Sequence, residues 1–183
     1  LIVQHPDSII QGVDYILSEM EPAEDNYKLY LVDFLNHYAN SKVVGFDAVY
    51  VHLGLNYYKQ GKAYWTNEDQ LQKIVENAEK LNPLLIGKTA PNFTMITRDE
   101  VEVELHKFDS PYTVLFFWDP DCGHCKKATP KMLEFQEKFK DRGVKIFGVC
   151  TKLVERGKDG KWSAEGIKEC WEYADEKGTN FWF

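Results

Sequence analysis

The chain has 183 residues, 44% of them hydrophobic and 28% charged, enough apolar material for one or two packed soluble domains. A formal charge of -7 and no dense lysine or arginine run argue against phosphate-driven nucleic-acid binding; Lys126, Lys127 and Lys131 read as one solvated helix face. No apolar run approaches the roughly 20 residues that cross a bilayer. The chain opens at Leu1-Ile2-Val3 without a Met or a signal-peptide pattern, and reads as an internal fragment from which a targeting segment could have been removed.

Residues 1–85 have helical periodicity throughout. Ile9, Val13, Ile16, Leu17 and Met20 form the first stripe, with Asp7 or Ser8 as the expected N-cap and Glu21-Pro22 as the stop. Tyr27, Tyr30, Leu31, Phe34, Leu35 and Tyr38 form the second. The third runs Val44, Ala48, Val51, Leu55 and Tyr58 to Gly61. The fourth, Leu71 to Leu81, opens on an Asn67-x-x-Gln70 capping signal and closes before Pro83. The many tyrosines are expected to pack their rings between helices, with hydroxyls near the surface. His37 and His52 have no ligand-spaced partner in the sequence and read as structural or exposed.

Beyond the breaker-rich join Gly87–Pro91 the pattern changes. Short strands are expected over Phe93 to Ile96 and around Val101, Val103 and Leu105, joined by the turn Thr97–Glu100. Tyr112 to Trp118 is an unbroken β-branched and aromatic run, the pattern of a strand buried on both faces. A helix follows, with Met132, Leu133, Phe135, Gln136 and Phe139 on its apolar side, and Val144 to Cys150 form the next strand. Residues 163–177 make a last amphipathic helix, with Ile167, Cys170, Trp171 and Ala174 facing inward. Strand, helix, strand, helix implies parallel pairing through a right-handed crossover. The fold expected is α+β overall: an all-helical module over 1–85, then an α/β domain over 86–183.

Cys122-Gly123-His124-Cys125 falls where the strand ending at Trp118 hands over to a helix. Free N–H groups and the helix dipole stabilise a thiolate there, and a thiolate is the attacking species in disulfide exchange. Cys122, nearer the end, is the expected nucleophile; Cys125, one turn in and more buried, resolves the mixed disulfide. His124 can place positive charge beside Cys122, and Gly123 keeps the turn small for an approaching partner chain. Zinc would need a second ligand pair, and Cys150, Cys170 and His106 stand apart, so no metal and no cofactor is implied. Cys150 and Cys170 have two readings, a second disulfide or two small buried apolar residues; the second is the expectation.

Phe117-Trp118-x-x-x-Cys122-Gly123-His124-Cys125-Lys126 followed by Pro130, which should kink its helix, resembles the active-site signature of the thioredoxin family. The Cys-Gly-His-Cys form is similar to that of protein disulfide isomerases, and Gly87-x-x-Ala90-Pro91-x-Phe93 resembles the entry of exported TlpA-like redoxins. Tyr57-Tyr58-x-x-Gly61-x-x-x-Trp65 and the Leu81–Gly87 join resemble a helical domain of unknown function that precedes such redoxins in cell-envelope proteins of anaerobic gut bacteria. The resemblance implies a thiol-disulfide oxidoreductase of the bacterial periplasm or envelope. Its partners would be protein disulfide or dithiol substrates and an upstream redox protein.

Three departures accompany it. Phe116 occupies the position of the family's buried acid, with Asp119 and Asp121 as nearby substitutes. Asp121 replaces the usual aromatic before the first Cys, and its charge is expected to oppose thiolate formation. No proline lies beyond Pro130, although the resemblance implies later strands and a substrate-aligning cis-proline; the natural protein is expected to continue past Phe181-Trp182-Phe183. Two other functions compete: a peroxidase, for which Asp119 stands where a Thr is expected, and a non-enzymatic docking, scaffold or metal-handling role.

Overall fold

The structure, a computed structural model, describes residues 4–99, 101–152 and 164–179. The expected turn residue Glu100, the Leu1–Val3 start and the Phe181–Phe183 end lie outside them. The chain divides into two units, Leu1–Pro91 and Asn92–Phe183.

The first unit is built from helices that bury one side each. Helix α1 (Pro6–Met20) lays Ile9, Val13 and Leu17 on the core at i, i+4, i+8 spacing. Its cap is His5, whose Nδ1 accepts from the Asp7 N–H at 3.3 Å, rather than Asp7 or Ser8; with Pro6 at the first helical position the helix starts ahead of both expected caps. Helix α2 (Glu24–Ala39) buries Tyr27, Leu31 and Leu35, a narrower line than the six-residue stripe, with Tyr30 left exposed. Helix α3 (Asp47–Leu53) begins after Val44, which is 84% exposed and plays no core role.

α3 runs into a π-helical turn, Gly54–Tyr58, that turns both Tyr57 and Tyr58 inward. Gly54 faces helix α4 (Glu68–Leu81) so closely that a Cβ would sit 2.7 Å from the Ala78 Cβ. α4 opens on the Asn67 side chain, which accepts from the Gln70 N–H at 2.9 Å. A polar network crosses this unit. Asp14 Oδ1 accepts from His52 Nε2 and from the Tyr57 hydroxyl, both at 2.7 Å, and Asn56 lies 3.0 Å from His52 Nδ1. His52 is therefore structural, with an acid partner from another helix. Burial and the Asp14 contact together push the Tyr57 hydroxyl well above its ordinary pKa.

In the second unit β1 (Thr94–Ile96) and β2 (Glu102–Glu104) form an antiparallel hairpin with Thr94 opposite Glu104. β3 (Tyr112–Trp118) and β4 (Val144–Cys150) pair in parallel from Tyr112 opposite Val144 to Trp118 opposite Cys150. Helix α5 (Gly123–Phe139) connects them, as the crossover pattern requires, and Gly143 closes the 3-10 turn that follows it, Lys140–Arg142, at φ 75° against Pro111. β3 is not buried on both faces. Its only partner among the described residues is β4, and Phe117 remains 55% exposed.

Two clusters hold this unit. Ile146 and Phe147 of β4 are buried, with Phe93 and Phe108 edge-on to Phe147. Helix α6 (Ala164–Lys177) brings Cys170, Tyr173 and Ala174 onto Trp118. Ile167, expected inward, is 37% exposed, and Tyr173 takes a core place that the apolar count missed because a tyrosine reads as half polar.

Candidate active site

The turn between β3 and α5 is set by its own side chains. Asp119 Oδ1 accepts from the Asp121 N–H at 2.7 Å, and the Asp119 carbonyl accepts from the Cys122 N–H at 3.1 Å. That turn delivers Cys122 into the N-cap position of α5, where its sulfur accepts from the Cys125 N–H at 3.3 Å. A thiol thus fills the place usually taken by a hydroxyl or carboxylate oxygen.

Both cysteines of the motif are free and half-buried. Hydrogen bonding from the Cys125 thiol, then from the Cys125 and His124 backbone N–H groups, draws the Cys122 thiol below its ordinary pKa; Asp119 opposes this. Burial, then the bond to Cys122, pushes the Cys125 thiol up. His124 is exposed and acts on Cys122 through its backbone N–H. Gly123 is exposed, and a Cβ there would meet nothing within 4 Å, so the protein's own packing does not demand glycine.

The carboxylates divide differently from the sequence expectation. Asp121 pairs with Lys152 at 2.6 Å, which holds its carboxyl below the usual range, and Lys152 also pairs with Glu169. Lys152 thus partly offsets the Asp121 charge beside Cys122, and Asp119 is an acid that bears on both thiols. Phe116 packs with Cys125 against the Trp118, Cys170, Tyr173 and Ala174 cluster, placing an aromatic ring at the position of the expected acid. Trp118 is held by Thr151, whose N–H donates to the Trp118 carbonyl at 2.8 Å, and by Tyr173, whose ring stacks on it at 5.2 Å. Pro130 lies inside α5, which continues through it to Phe139.

The expectation that Cys150 and Cys170 stay unpaired is overturned: they form a disulfide, with Cα atoms 6.2 Å apart. The register sets Cys150 opposite Trp118 at the end of β4, and α6 crosses that end with Cys170 buried beneath it. Sequence reasoning also missed Thr129, Lys152 and Tyr173. The available signals were Thr129 one helical turn past Cys125 and Tyr173 three residues past Cys170. Among the described residues no group of three or more His, Cys, Asp and Glu side chains gathers to hold a metal ion.

Residues 86–166 match the AhpC/TSA family. A thiol-disulfide oxidoreductase ResA of Bacillus thuringiensis subsp. konkukian is 31% identical over 88 residues, covering 48% of this chain and 43% of that protein. A ResA of Bacillus cereus is 38% identical over 64 residues, covering 35% of this chain and 37% of that protein. The chain thus spans about two fifths of the length of the curated relatives it matches. A thioredoxin-like protein from Bacteroides caccae shares the fold over 96% of this chain and 64% of its own, with TM-score 0.55 at 13% identity. By fold and by sequence match, the chain is a mixed α+β, thioredoxin-like protein related over part of its length to the thiol-disulfide oxidoreductases.

Proposed function

We propose that the protein exchanges disulfides with other proteins through Cys122 and Cys125, with residues 1–85 as a helical domain and 86–183 as the redox domain. The observation that carries this is the N-cap placement of Cys122, whose sulfur collects the Cys125 and His124 N–H groups and the Cys125 thiol. The Cys122 thiolate attacks one sulfur of a partner disulfide, and the partner's other sulfur leaves as a thiolate. Cys125 then gives up its proton and attacks the Cys122 sulfur, releasing the partner's second thiol. Two electrons pass to the partner, and Cys122–Cys125 is left as a disulfide for an upstream redox protein to reduce; run backward, the same steps oxidise a partner dithiol.

His124, Gly123, Trp118 and Pro130 serve as accessory residues: a backbone donor, an open approach, a floor under the motif and a residue that removes one helical donor. The location proposed with this function is the bacterial periplasm or cell envelope; the curated relatives are bacterial. No described helix is long and apolar enough to cross a membrane. The test is insulin reduction by the protein and by Cys122→Ser. Loss of turnover in the variant is expected, and turnover unchanged by the substitution defeats the reading. The AhpC/TSA match favours one second reading, peroxide reduction at Cys122; peroxide consumption that needs Cys122, without insulin turnover, is its signature.

A further inference from the structure

Two buried hydroxyls lie behind the dithiol, and the exchange steps use neither. Thr129 is 1% exposed. Its Oγ1 donates to the Cys125 carbonyl at 2.9 Å and lies 3.2 Å from the Tyr173 hydroxyl. With the Thr129 proton committed to the carbonyl, Tyr173 is the donor and Thr129 the acceptor between the two hydroxyls. Tyr173 is itself fixed twice: its ring stacks on Trp118, and it lies three residues past Cys170, whose disulfide ties α6 to the end of β4.

Pro130 gives this arrangement a purpose. Having no N–H, it leaves the Lys126 carbonyl without its helical donor, so α5 loses a rung one residue beyond the dithiol. The adjacent rung, at the Cys125 carbonyl, gains a second donor from the Thr129 side chain. The turn so reinforced, from Cys125 to Thr129, begins at the residue on which the preceding turn ends, the one that aims the Cys125 N–H at the Cys122 sulfur.

Accepting the reading of Cys122 and Cys125 as the exchanging pair, we propose that Thr129 and Tyr173 are its positioning residues. The path from the disulfide-tethered α6, through the Tyr173 hydroxyl and Thr129, to the Cys125 carbonyl anchors Cys125, the residue whose N–H meets the Cys122 sulfur. It thereby sets their exchange equilibrium. The N–H bond to sulfur favours the reduced form, because only there does Cys122 carry a thiol or thiolate. Loosening the turn therefore makes the pair easier to oxidise.

The experiment equilibrates the full chain with glutathione buffers and reads the redox state of the Cys122–Cys125 segment by mass spectrometry after thiol trapping. Thr129→Val, which keeps the side-chain shape and removes the hydroxyl, should shift the equilibrium roughly fivefold toward the disulfide; a tenfold shift corresponds to about 30 mV. Thr129→Ser should restore the wild-type value. Tyr173→Phe, which keeps the ring and its stack, should shift it in the same direction by about twofold, and it decides the matter if the valine variant does not fold. Equilibria of Thr129→Val and Tyr173→Phe that match a normally equilibrating wild type overturn the inference. A wild type whose Cys122 and Cys125 do not exchange at all overturns the functional reading and this inference with it.

Discussion

Removing the Cys150–Cys170 bond should weaken the second unit by an amount the chain itself specifies. The two residues are 20 apart in sequence. Closing a loop of that length restricts the unfolded chain by about 3 kcal/mol on the chain-entropy account. In a domain of about 100 residues each kcal/mol moves the melting point by about 4–8 °C, so Cys150→Ala with Cys170→Ala should lower it by about 12–24 °C. The alanine at 170 also gives up a little buried contact, which acts in the same direction. The measurement is calorimetry of the full chain in a Cys122→Ser, Cys125→Ser background, so that no other thiol can re-pair. In that background, maleimide titration in denaturant should find no thiol before reduction and two after it. Two thiols before reduction, or melting unchanged by the alanine pair, refutes the reasoning.

Two further outcomes follow from local geometry. The pH midpoint for alkylation of Cys122 should lie below the ordinary thiol value of about 8.5, because its strongest influences favour the thiolate; Cys125→Ala should raise the midpoint and Asp119→Asn should lower it, and a Cys125→Ala midpoint that stays put contradicts the assignment of causes. Gly54→Ala, forced to within 2.7 Å of the Ala78 Cβ, should destabilise the helical unit by about 1–3 kcal/mol in urea unfolding, and a neutral result would show that the α4 approach is not close-packed.

The dithiol was legible in the sequence because everything that defines it is local: a strand end, a tight turn and an N-cap lie within eight residues of one another. The Asn67 cap and the parallel pairing of β3 with β4 were legible for the same reason, since each rests on one period or one connection. The disulfide was not. It depends on which β3 residue faces Cys150 and on which turn of α6 crosses that end, and both are set by packing between segments distant in sequence. Lys152 shows the same limit. A lysine beyond a strand reads as solvated, yet it draws Asp121 and Glu169 together and gives the Asp121 charge beside Cys122 a cationic partner. The exposed Phe117 and Val44 mark where an apolar pattern met too few neighbours to bury it.

All four cysteines belong to the second unit, and the helical core from Ile9 to Ala78 contains none. A change in ambient reducing power therefore acts covalently on the second unit and not on the first. It reaches that unit through Cys150–Cys170. The helical unit is held by apolar contacts, the Asp14 network and ion pairs such as Lys59–Glu79, none of which involves a thiol.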